Sequence, residues 1–170
     1  MNPLESPDIH YLSAASGWVG LSNADEARLE LKKISRKFRS HPDVLEVRYE
    51  LHALEKNWKE AIADARILTE LEPEREFGWI HLAYALHEVK KTRQARDLLI
   101  LVAERFPEDW LLRYNLACYE CQLGDENSAL DWLAQAFELG NPKQIKVMAL
   151  HDKDLQPLWA KLAENAGQEG

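Results

Sequence analysis

Cysteine is nearly absent from this chain: Cys118 and Cys121 are the two in 170 residues. That excludes a disulfide framework and fits a reducing compartment. Glycine and proline are few, at seven each, and no low-complexity stretch occurs, which excludes collagenous and globally disordered classes. Long apolar runs are missing too; none approaches the ~18 residues needed to span a bilayer. Met1 to Asp8 lacks the basic start and apolar centre of a leader, so a soluble, cytoplasmic protein with no membrane partner is expected. Positive charge is in deficit, with a formal net charge of −8. This argues against sequence-independent nucleic-acid binding, which requires a concentrated basic surface that displaces counterions. No segment alternates with period two, so no sheet is predicted.

Catalytic patterns are lacking as well. His10, His41, His52, His81, His87 and His151 form no i, i+4 pair, no nucleophile elbow surrounds a Ser or Cys, and no glycine-rich phosphate loop is present. The carboxylates are spread along helix surfaces, as a solvated face requires. Cys118 and Cys121 have Cys-x-x-Cys spacing, but both fall inside a helix, away from the N-terminal dipole that stabilises a thiolate. A closed zinc site would need about two more ligands at suitable spacing. The pair reads as two small packed residues. No catalytic residue, no metal and no cofactor is expected, and the chain is read as not an enzyme.

What is present is a period. Ala27, Ala61, Ala95 and Ala129 are each 34 residues apart. Three further columns share the frame: Ala15, Tyr49, Ala83 and Ala117; Leu31, Ala65, Leu99 and Leu133; Ile34, Leu68, Val102 and Ala136. Pro73 and Pro107 share a register too. A fixed period of this length means one helical hairpin stacked on copies of itself, with small residues at close helix approaches and larger apolar ones between. A chain of this length has room for one such array and not for an additional catalytic domain.

These residues resemble the tetratricopeptide repeat (TPR) family. Trp79, Leu82, Ala83, Ala95, Leu99 and Pro107 carry the resemblance best, and Asn115, Leu116, Ala117, Gly124, Ala129, Leu133 and Ala136 follow. The first repeat fits more loosely, since the closing proline expected at Arg39 stands at Pro42. The second is degenerate, with Tyr49 crowding a small-residue column and Arg48 in a leucine column. The resemblance implies an all-α, right-handed solenoid of about four antiparallel helix pairs with C-terminal capping helices. It also implies a non-enzymatic protein-interaction module, a scaffold or adaptor. A small dedicated chaperone or an enzyme's regulatory subunit is the alternative.

Helix pairs are predicted at 8–21 and 24–39, 43–55 and 58–71, 75–89 and 92–105, and 109–122 and 126–139. Asn23, Asn57 and Asp125 stand as N-caps, with Glu26 and Glu60 completing capping boxes; Thr92 replaces Lys91 as the cap in the third repeat. The expected organisation is a flexible N-terminus over 1–7, hairpins at 8–41, 42–75, 76–109 and 110–143, capping helices within 144–166, and a flexible tail over 167–170. The apolar residues Ile145, Val147, Met148, Leu150, Leu155, Leu158, Trp159 and Leu162 supply the cap that an open apolar flank requires. Two short helices are predicted there, about 142–149 and 155–165, with Asp154 capping the second and Pro157 in its first turn. Together with Asn115 to Tyr119, Leu139, Gly140, Asp152, Asp154 and Leu155, this region resembles the closing repeat of bacterial arrays of the family.

The first helix of each hairpin lines the inner groove of such an array. By register the groove residues are Glu46, Glu50, Phe77, Ile80, His81, Tyr84, His87, Tyr114, Cys118 and Gln122. Each of them can alternatively pack between repeats. The mixture of aromatic and acidic groups predicts an unknown protein or peptide partner with apolar and basic anchors, and a monomer or weak homodimer. The carboxylate clamp that some family members use is not matched: its positions hold Leu12, Ser16, Val47, Phe77 and His81, or one repeat along Glu46, Glu50, His81, Leu111 and Asn115. Arg28, Lys32, Lys33, Arg36, Lys37 and Arg39 crowd one helix and read as its solvated face, with a basic docking patch as the alternative.

Overall fold

A computed structural model describes residues 3–164; position 165 of the expected last helix, position 166 of the expected capping region and the expected tail over 167–170 lie outside the described residues, as do residues 1–2 of the expected N-terminus. The helices are α1 (Asp8–Gly20), α2 (Ala24–Lys33), α3 (Pro42–Leu54), α4 (Trp58–Leu71), α5 (Glu76–Glu88) and α6 (Thr92–Val102). They continue with α7 (Trp110–Leu123), α8 (Glu126–Leu139), α9 (Pro142–His151) and α10 (Trp159–Glu164), and short 3-10 segments run over Arg36–Phe38 and Lys153–Leu158. No strand occurs among the described residues.

The tight turns inside the hairpins share one geometry. Ser22, Lys56 and Lys90 adopt left-handed φ of 57°, 56° and 64°, and Gly124 follows at 89°. After each, an amide reaches back five positions, Asn23 to Trp18, Asn57 to His52, Lys91 to Leu86 and Asp125 to Glu120, at 2.8–2.9 Å. This Schellman closure satisfies carbonyls that the helix end would otherwise leave open, and the next helix starts at once. A left-handed residue favours glycine, yet only the fourth turn has one.

Two compact units divide the chain between Ala85 and Leu86, inside α5. In the first, α1 pairs with α2 and α3 with α4, while α3 also touches α1 and α2. Leu12, Ala15, Ile34, Phe38, Val44 and Val47 form a core cluster there, with Leu4 packed against it. Ala27 and Ala61 are fully buried, as the alanine register requires. Gly78 was not singled out by that register, but it sets how closely α5 approaches α4: a Cβ there would sit 2.9 Å from the Thr69 amide nitrogen. In the second unit α7 packs on both α6 and α8, and also on the Lys153–Leu158 segment. Ala95 and Ala129 are again fully buried. The Arg113 guanidinium donates to the carbonyls of Phe106 at 2.8 Å and Ala103 at 3.0 Å, closing the α6–α7 connection.

Several local expectations are corrected. The helix expected over 24–39 stops at Lys33, where Ile34 turns extended with ψ 129°. The Asp8 carboxylate accepts the Ser35 amide at 2.7 Å, and Arg39 donates to the carbonyls of Ile34 and Lys32, so side chains replace the missing helical bonds. Asn23 and Asp125 cap their helices by accepting the amides of Glu26 and Ser128, whereas Asn57 makes no side-chain cap bond. Thr92 is the first residue of α6, with Lys91 at the cap position, and its hydroxyl bonds His87 instead. Asp152, not Asp154, caps the next segment, and Pro157 lies within that 3-10 segment before α10 begins.

Candidate protein-interaction surfaces

The expected groove residues divide into two sets. In the first unit α3 presents Glu46 and Glu50, and α5 presents Phe77, Ile80, His81 and Tyr84. Tyr49 joins the two helices: its hydroxyl donates to the His81 carbonyl at 2.9 Å, and its ring centroid lies 4.8 Å from His81 and 6.0 Å from Phe77. Phe77 and His81 are 4.0 Å apart, so three rings form one cluster. The tyrosine that crowds a small-residue column therefore spends its bulk on a neighbouring helix and its hydroxyl on a main-chain acceptor. Burial lowers the His81 pKa to about 4, which keeps the imidazole neutral near pH 7.

Around this cluster the side chains are more accessible. Tyr84 is 40% exposed and leans edge-on against Trp58, with ring centroids 5.7 Å apart. Glu46 pairs with Arg75 at 2.7 Å, and Arg75 also holds Glu72. Burial raises the Glu46 pKa against the pull of Arg75. Glu50 is half-buried, and burial raises its pKa as well. Ile80 is buried and serves the packing of α5.

The second set, His87, Tyr114, Cys118 and Gln122, is held by the chain's own C-terminal segment. The Tyr114 hydroxyl donates to Asp152 at 2.9 Å, and the Cys118 thiol lies 3.6 Å from the same oxygen. Gln122 Nε2 donates to the Asp154 carbonyl at 2.9 Å. His87 Nε2 lies 3.0 Å from the Asp154 carboxylate and Nδ1 lies 2.9 Å from Thr92, while its ring stacks on Tyr119. The His87 hydrogen bond holds the Asp154 carboxyl below the usual range despite partial burial. Leu155 and Leu158 are fully buried, and the Trp159 indole donates to the Ala149 and Asp152 carbonyls. The segment from Asp152 to Trp159 thus packs over α7.

Burial pushes up both cysteine thiols, and the Asp152 carboxylate adds to the effect at Cys118, so neither is poised as a thiolate. Among the described residues no three His, Cys, Asp or Glu side chains converge as metal ligands. One buried ion cluster escaped the sequence reading: Arg48 holds Asp64 through Nε and Nη2, and His52 Nδ1 lies 3.1 Å from the same carboxylate. Burial alone would raise the Asp64 pKa, but the bonds from His52 and Arg48 bring it below the usual carboxylate value. The arginine in a leucine column was its visible trace.

No protein-family model and no curated protein matches the chain. Solved structures do. TTC0263, a thermophilic TPR protein of Thermus thermophilus, superposes with a TM-score of 0.73 at 16% identity, over 95% of this chain and 93% of that one. MamA AMB-1 gives a TM-score of 0.65 at 19% identity, over 96% of this chain and 93% of that one. At such identities the likeness establishes architecture. With its helical pairs, its recurring left-handed turns and its buried alanine register, the chain has the tetratricopeptide-repeat fold.

Proposed function

We propose that this chain is a non-enzymatic protein-interaction module, and that the face shared by α3 and α5 takes a peptide or protein segment with apolar and basic anchors. One observation carries the reading: Tyr84 is exposed beside Trp58 while Glu50 stands half-buried with no ion-pair partner among the described residues. An exposed aromatic on α5 and an uncompensated carboxylate on α3 favour a partner that brings apolar groups together with a Lys or Arg. The Tyr49, Phe77 and His81 rings stiffen that face, which limits the ordering cost of binding. Repeats at 8–41, 42–75, 76–109 and 110–143 are the frame we adopt, supported by the equal spacing of the left-handed turns. Two unpaired thiols suit a cytoplasmic setting, and a monomer or weak homodimer is the expected state.

The test is affinity capture of the full chain from its native host with mass spectrometry, followed by affinity measurement on the recovered partner. Tyr84→Ala and Glu50→Lys should each cost ~1–2 kcal/mol of binding with the helical circular dichroism unchanged. Undiminished affinity in the folded double variant would move the binding surface elsewhere.

A further inference from the structure

A pocket of about 240 Å³ opens between α2 and α3 in the first unit. Its wall carries Arg28, Lys32, Arg39 and Arg48 against one carboxylate, Glu55, in a protein whose overall charge is −8. Two of the four cations are already matched. Arg28 pairs with Glu55 and Asp25, and Arg48 with Asp64. Among the described residues Arg39 donates only to main-chain carbonyls, through Nε to Ile34 at 3.2 Å and Nη2 to Lys32 at 3.4 Å. Lys32 is exposed and has no carboxylate partner among the described residues. Two positive charges, neither with a carboxylate partner among the described residues, therefore border one small cavity and attract an anion to it.

We propose that this pocket binds the carboxylate of an acidic side chain on a partner polypeptide. The remainder of its lining decides the class of ligand. Leu31, Val44 and Leu51 supply an apolar wall beside the cations. That combination suits an aliphatic stem ending in a carboxylate, as in a glutamate, whereas a bare phosphate has no apolar part to bury. Arg48 and His52 already clasp a carboxylate of the chain itself, Asp64, which shows the chemistry the wall supports. None of the α3–α5 face residues Glu46, Glu50, Phe77, Ile80, His81 and Tyr84 lines this pocket.

The experiment titrates the full, 15N-labelled chain at low ionic strength with an acetylated, amidated tetraglutamate peptide, with glutarate and inorganic phosphate as separate arms. Saturable amide shifts should centre on residues 28–32 and 39–55. Lys32→Glu, at an exposed side chain that holds no structural bond, should weaken the peptide about tenfold, while Glu50→Lys leaves its affinity undiminished. Three results would overturn the proposal: no saturable peptide binding, peptide shifts centred elsewhere or unaffected by Lys32→Glu, and phosphate filling the pocket while the peptide and glutarate do not.

Discussion

The α3–α5 face and the α7 face descend from the same repeat register, but they treat their acids in opposite ways. On α3, Glu46 and Glu50 are half-buried and burial raises both, so each ionised form is held at a cost to the fold. On α7, the acids come from Asp152 and Asp154, and Tyr114, Gln122 and His87 meet that segment with hydrogen-bond donors. The hydrogen bond from His87 lowers the pKa of the Asp154 carboxyl. The difference is that Glu50 in one unit keeps a carboxylate with no ion-pair partner among the described residues, while the α7 face of the other has its donors taken up by the chain's own C-terminal segment.

The contrast can be broken most severely in the Asp152–Trp159 segment. Leu155 is fully buried, and Leu155→Ala should destabilise the protein by about 3–4 kcal/mol in urea unfolding. The same variant should leave partner affinity at the α3–α5 face unchanged; a parallel loss of binding would merge the two regions into one site.

Next in size is a pH effect at the aromatic cluster. The His81 pKa falls from 6.5 to about 4 in the folded chain, so the unfolded chain binds the proton more readily. Stability is thus full above pH 6.5 and declines as pH falls toward 4, by about 1–3 kcal/mol. In His81→Gln that limb should flatten. The acids on the two faces contribute with opposite sign: Asp154 favours the fold above the ordinary carboxylate range and loses that contribution as pH falls through its lowered pKa, whereas Glu50 disfavours it once ionised. Glu50→Gln should therefore raise the melting temperature near pH 7, even as it weakens a basic partner.

A smaller loss is expected from Tyr114→Phe, which removes one bond to Asp152 while the Asp154 amide still holds that carboxylate. The cost should be about 1.5 kcal/mol, measured by chemical denaturation. Smallest is a gain: Lys56→Gly relieves a left-handed residue at φ 56° and should stabilise by ~0.5–1 kcal/mol. A loss there would mean that the lysine stem contributes packing that the turn geometry does not reveal.

Much of the fold was legible because helix packing writes itself into sequence at short range. The four alanines of the register are all fully buried, and Ala15, Ala83 and Ala117 are as well. Tyr49 announced a departure from the column, and the departure proved to be a bond across helices. The end of α2 was illegible, since it depends on Asp8 reaching Ser35 from 27 residues away. The arginine at position 48 was visible as an oddity, but its partner Asp64 lies on the following helix and no local pattern connects them.

The sequence alone determined an all-helical repeat, because a 34-residue spacing of small and apolar residues has one economical way to bury itself. It also marked Glu46, Glu50, Phe77, Ile80, His81, Tyr84, His87, Tyr114, Cys118 and Gln122 as a single series. Only the tertiary structure separated them. Whether a position faces a partner or the protein's own backbone depends on which distant segment folds over it, and that is decided by long-range hydrogen bonds and buried leucines such as Leu155 and Leu158.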